Sequence, residues 1–280
     1  MSVSTIEYGQ LPALLLRAPD GAEATIALYG AHLVSWRPAR SAGRDGTPGE
    51  AGPERMFMSR LSALDGSRAI RGGVPVIFPQ FAERGEGTRH GFARTSTWRV
   101  LETGEQDGAA FAVLGLNQGD LSPQASSAWA YAFELALRVS VHGAELSMSL
   151  EVRNTGTHPF PYAAALHTYH LVDDVEAVRI DGVQAETLAI TDKLDQVFEH
   201  IAGPIHFDNG ADKLLLQQTG FTDAVVWNPG AADAAALADM EDEEYRDFVC
   251  IEPALLGPAT LEPGGVWKGE YRISPAVSGQ

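Results

Sequence analysis

From residue 131 to residue 154, apolar and polar positions alternate almost without a break. Phe133, Leu135, Leu137, Val139 and Val141 interleave with Glu134, Ala136, Arg138 and Ser140. Past His142-Gly143, Leu146, Met148, Leu150 and Val152 interleave with Ser147, Ser149, Glu151 and Arg153. Successive side chains on a strand point to opposite faces, so this period of two predicts a long antiparallel hairpin with one buried face. Shorter strand-like runs recur at 24–36, 98–102, 110–116, 177–180, 213–217, 224–227, 248–252 and 267–273. Helical patterning is confined to one short stretch, 233–246. Many short strands, with 29 Gly and 16 Pro to turn them, predict an all-β chain, a sandwich or a barrel. No composition shift divides residues 1–280, which read as one domain. The Gly/Pro-rich stretch 41–54 reads as a mobile loop and the last few residues as a tail.

Composition narrows the function classes. The chain has 280 residues, ample for a sizeable core, and 45% of them are hydrophobic. A formal charge of −17 argues against a general nucleic-acid or membrane-surface binder, which needs a basic face. The one cysteine, Cys250, excludes an internal disulfide and a Cys-rich zinc site. No apolar run is long enough for a membrane span, and the first seven residues carry no basic n-region. The expectation is a soluble, cytoplasmic protein. The charge is also uneven. Between residues 55 and 99 stand eight arginines against Asp65, Glu83 and Glu86. Arginine presents a planar fork of donors that matches phosphate or carboxylate oxygens in pairs, so the cluster points to a small anionic ligand.

Several segments carry candidate chemistry. In Ile70-Arg71-Gly72-Gly73, the two glycines allow either a close backbone approach to a ligand or a tight turn into a strand. His90 and Arg94 flank a glycine, Gly91, four residues apart. Gly85, Gly87 and Gly91 do not have the spacing of a phosphate-cradling loop. His167 and His170 are three apart on a strand-like segment, which puts them on opposite faces and argues against a shared metal ion. A single inward histidine serves either as a hydrogen-bonded core residue or as a general acid/base. Glu252, in Val249-Cys250-Ile251-Glu252-Pro253, is either an exposed strand end or a desolvated base. Cys250 shares its face and reads as packing. The acidic run 239–247 lacks a calcium loop's spacing and reads as a solvated face.

In order along the chain, IRGGVPVIFPQF, HGFAR, ALHTYH, VVWNP and FVCIEPA resemble the hexose-6-phosphate mutarotases of the aldose 1-epimerase, or galactose mutarotase-like, superfamily. The resemblance implies a supersandwich of antiparallel sheets and no metal or other cofactor. It implies His167 as general acid and Glu252 as general base, with Arg71 and Arg94 binding a sugar phosphate. It places His90 in the pocket wall, Asp192 on sugar hydroxyls and Gln80 among the substrate-binding residues. Where the family often has a ligand-touching glutamine, this chain has Arg89, either a third positive group by the phosphate or a solvent-facing one. The implied partner is a small phosphorylated sugar acted on by a monomer, with no nucleic acid or membrane involved. Three rivals stand beside this reading. One is a mutarotase for unphosphorylated aldoses, and another is a non-catalytic carbohydrate-binding protein. The third, a glycoside hydrolase, would need a second carboxylate opposite the first.

Overall fold

The computed structural model describes residues 2–40 and 49–276. The alternating segment forms the expected hairpin: strands Phe133–His142 and Glu145–Asn154 pair with Leu137 opposite Leu150 and Val139 opposite Met148. Every apolar position named for it is buried. Gly143 turns the chain in the left-handed region, at φ 58°. This hairpin lies within a nine-stranded antiparallel sheet bounded by Leu188–Ala189 at one edge and Arg99–Gln106 at the other.

A second sheet has the order Leu194–Phe198, Asp223–Asn228, Phe248–Leu261, Phe160–Leu166 and Val76–Ile77. Tyr169–Leu171 adds as a further partner of Phe248–Leu261. A four-stranded meander, Val3–Tyr8, Leu11–Arg17, Glu23–Ala27 and His32–Arg37, completes the set. All three sheets contribute to one main core. The all-β antiparallel sandwich is therefore present as expected.

The six-stranded sheet is buried on both faces, and this positions the site. On Phe248–Leu261, Val249 and Ile251 enter the main core, whereas Cys250, Ala254 and Leu256 join two smaller clusters on the other side. Phe160–Leu166 divides in the same way: Tyr162, Ala164 and Leu166 face the core, Ala163 and Ala165 the opposite side. Loops carrying Phe57, Phe81 and Met240, with the short helix ending at Ala234, cover that second face.

The expected helix at 233–246 is corrected. Only Gly230–Ala234 is α-helical, and Glu244–Asp247 forms a 3-10 turn. The run 24–36 is two strands separated by a turn in which Gly30 has φ 79°. Of the loop expected at 41–54, residues 41–48 lie outside the described residues, as does the C-terminal tail from 277. The rest of that loop is fixed, because the Glu54 carboxylate accepts the backbone N–H groups of Trp36, Arg55 and Met56. Among the described residues, no helix is long and apolar enough to cross a membrane.

Candidate active site

Strand parity sets Cys250 and Glu252 on the loop-covered face. Cross-strand pairing puts Trp227 and Tyr169 on either side of Cys250, and Val225 beside Glu252. His167 occupies the break between Phe160–Leu166 and Tyr169–Leu171. Its N–H donates to Pro75 O (3.0 Å), and that of Tyr169 donates to Gly73 O (2.9 Å), which fixes the break. The ring then lies parallel to Tyr169, 4.9 Å away, with Nε2 3.3 Å from Glu252 Oε1. His90 meets the same ring edge-on at 5.6 Å. His170 turns to the opposite side, against Phe207, with Nε2 3.3 Å from the Tyr271 hydroxyl. The two histidines of the LHTYH segment do not converge, as strand geometry requires.

Arg71 and Arg94 stand above this floor. Arg71 donates from Nη1 to the Tyr169 hydroxyl (2.9 Å) and from Nη2 to Asp239 (3.2 Å). The glycines beside it serve the protein's own packing: a Cβ on Gly73 would lie 2.2 Å from Leu33 O, and one on Gly72 2.4 Å from Phe57 O. His90 and Gly91 both have left-handed backbone, at φ 63° and 69°, tucking the loop under Phe78. Arg94 follows in the 3-10 turn Ala93–Thr95 and donates from Nη2 to Arg89 O (3.1 Å). The Arg89 side chain is exposed and paired with Glu83 at 2.9 Å.

Two expected contacts find other partners. Gln80 braces the loop: its Oε1 accepts Gly87 N–H, and its Nε2 donates to Ala82 O and Gly87 O. Its amide makes these hydrogen bonds within the chain. Asp192 is exposed, and its carboxylate accepts the N–H of Lys193 at 2.7 Å. The aspartate whose charge reaches Glu252 is Asp195, which is opposite Trp227 and in register with Cys250 on the floor. Sequence reading missed it. The acidic run is also not a uniformly solvated face, since Asp239 pairs with Arg71 and buried Glu244 accepts from Ser59 Oγ (2.6 Å).

The site's electrostatics follow from burial. Desolvation, aided by His90, Arg94 and Arg71, holds the His167 pKa well below the usual histidine value. Burial, then the Asp195 charge, pushes Glu252 well above the usual carboxylate value. His90 falls to about 3 through burial and the neighbouring Arg94, Arg89 and Arg71. Arg94 is lowered to about 10, again by burial first and then by Arg71 and Arg89. The guanidiniums and the His167–Glu252 pair therefore sense one another. Seven buried side-chain polar atoms lack a hydrogen-bond partner among the described residues, and His167 Nδ1, Glu252 Oε2, Arg71 Nε and Arg94 Nε are four of them. Each such atom costs about 1–3 kcal/mol, so their concentration in one place marks a ligand site.

His167, Cys250 and Glu252 are also the one group among the described residues close enough to share a metal ion, with ligating atoms within 4.8 Å of one another. Burial and the Glu252 charge push the Cys250 thiol well above its usual value. A cation would need both Cys250 and Glu252 stripped of protons.

The aldose 1-epimerase family model matches residues 12–204. This chain belongs to the aldose 1-epimerase family. A relative from Cenchrus ciliaris, named "Putative glucose-6-phosphate 1-epimerase", is 31% identical over 96% of this epimerase and 86% of its own length. The crystal structure of a "putative mutarotase" from Salmonella typhimurium has a TM-score of 0.81 at 23% identity, covering 98% of this chain and 94% of that one. A galactose mutarotase-like protein from Clostridium acetobutylicum gives 0.69 at 15% identity, covering 98% of each. The two structures share the epimerase's fold, and the family gives its reaction class, sugar mutarotation.

Proposed function

We propose that this epimerase interconverts the α and β anomers of hexose 6-phosphates, glucose 6-phosphate foremost. One observation carries the reading: a buried acid/base pair, His167 Nε2 and Glu252 Oε1 at 3.3 Å, lies beneath two arginines whose Nε–H groups have no partner among the described residues. The name of the Cenchrus ciliaris relative supports the same substrate.

The pair holds one proton between its members. Burial rests that proton on Glu252, and once it has passed to His167 across the 3.3 Å gap, Glu252 takes the proton from the O1 hydroxyl while His167 gives its proton to ring oxygen O5. The C1–O5 bond breaks as the C1=O1 bond forms, the aldehyde rotates about C1–C2, and the two groups reverse roles on closure. Each contribution is worth on the order of 10²–10⁴-fold. Burial favours this exchange, because neither neutral partner is tied up as a fixed ion pair. Arg71 and Arg94 would grip the 6-phosphate, remote from C1, and use its binding energy to orient the ring. Asp195, on the floor, is the acceptor offered to sugar hydroxyls.

Anomer exchange measured by NMR magnetisation transfer, with glucose 6-phosphate and glucose at equal concentration, tests the proposal. Enhancement for the phosphate sugar alone supports it. Equal enhancement for both removes the phosphate from the reading and leaves an aldose mutarotase. Exchange of neither moves the chain to a binding role.

A further inference from the structure

Asp239 is the one member of the acidic run that pairs with an arginine of the site. It is presented there, since the segment carrying it is fastened on both flanks. Asn228 Nδ2 donates to Tyr245 O (2.7 Å) and Phe248 O (2.8 Å), and Glu244 accepts from Ser59 Oγ (2.6 Å) and Arg60 N–H (2.9 Å). The two side chains are largely buried, with exposures of 22% for Arg71 and 18% for Asp239. Arg71 has two edges on which an oxyanion can bind bidentately. The end-on edge is interrupted by Nη1 donating to Tyr169, and the side-on edge, Nε with Nη2, has Nε without a partner among the described residues and Nη2 on Asp239. A phosphate using the side-on edge meets Asp239 at Nη2.

We propose that Asp239 is a specificity-determining counterion, which holds Arg71 in place before substrate arrives and competes with the substrate's phosphate for the Nε/Nη2 edge. The inference rests on the hexose 6-phosphate reading. Its carboxylate weakens the grip most for a dianion, because a second negative charge on the ligand adds a second repulsion. Asp239 thereby sets KM and limits how long product stays bound, while the acid/base pair acts elsewhere. The other charged or titratable groups facing this corner are Arg94, Tyr169 and His90, with Arg89 at the rim. Burial raises Tyr169 from its usual 10 and lowers His90 to about 3. His167 and Cys250 also face Arg71, the first held well below and the second well above its usual value. Glu252, raised well above its usual value beneath Arg94, is common to wild type and variants, so the difference between them across pH 5 to 8 reports the phosphate.

The test compares wild type with Asp239→Asn and Asp239→Ser, the second variant guarding against a folding defect peculiar to the first. Inorganic phosphate binding is measured by calorimetry, and glucose 6-phosphate exchange kinetics are followed from pH 5 to 8. Both variants are expected to bind phosphate about tenfold more tightly and to lower KM rather than raise kcat. The KM gain for glucose 6-phosphate should be larger above the second ionisation of its phosphate ester, near pH 6, than below it. A purely structural role would shift Tm without that pH split. Unchanged or weaker phosphate binding in both variants overturns the proposal and makes Asp239 a holder of Arg71. If wild type binds no phosphate and treats glucose and glucose 6-phosphate alike, the hexose 6-phosphate reading fails first.

Discussion

Glu252 shows how a single residue can oppose stability and serve function. Its folded-state pKa is raised, so its contribution favours folding below the ordinary carboxylate value and is lost as pH rises. At neutral pH the carboxyl works against the fold. Glu252→Gln is therefore expected to raise Tm at pH 7 by a few degrees while turnover falls on the order of 10²–10⁴-fold. Thermal melts and NMR exchange in one buffer check both halves, and undiminished turnover would remove Glu252 from the mechanism. At this scale the sequence singled out His167, Glu252, Arg71 and Arg94 through distinctive local motifs, and the structure brings them to one corner. It said less about the position of Asp192. In Asp192-Lys193-Leu194-Asp195 the two aspartates look alike, and only the pairing of Asp195 with Trp227, a strand 32 residues away in the chain, separates them. The loop-bracing bonds of Gln80 were not legible for a related reason: their partners are backbone groups of a loop with no periodic signature.

The segment between Asn228 and Phe248 is the element on which the covered face depends. Asn228 holds both of its ends, through Gly230 N–H at the start and Tyr245 O at the finish. Asn228→Ala should cost about 1–3 kcal/mol, the range for stranding buried polar partners. Its mark should be faster amide hydrogen exchange at 229–248, with the nine-stranded sheet unchanged; equal change in both would show a global effect instead. This segment also defeated the expected helix. On a helix, residues five apart lie about 140° apart around the axis, whereas Asp239 and Glu244 must meet Arg71 and Ser59 on neighbouring parts of the same wall. Tertiary hydrogen bonds overrode local patterning. The hairpin 131–154 was legible because its alternation is local and one of its faces meets solvent. Leu11–Arg17 was not, since its apolar residues serve both faces.

For the whole molecule, acid is the revealing stress. Burial lowers His32 to about 4, His90 and His170 to about 3, and His167 well below its usual value. Their lowered folded values favour folding above about pH 6.5, and that contribution is lost as pH falls, because the unfolded chain takes up the protons first. Tm should decline steadily from pH 6.5 to 4, a trend that Glu252 only partly offsets. A flat Tm over that interval would mean that these histidines accept protons without unfolding. Strand patterning pointed to an all-β chain and left sandwich or barrel open, the family resemblance pointed to the sandwich, and the order of strands within the sheets depends on contacts that no single stretch of sequence contains. One consequence follows from the sheet buried on both sides. Its residues answer simultaneously to the core beneath and to the chemistry above, so that floor has little freedom to vary. The loops over it answer to neither constraint as strictly. A protein engineer seeking to change the proposed phosphate preference should graft or randomise those loops and leave the floor alone: on that reading the grip on the phosphate is detachable, and the reaction is not.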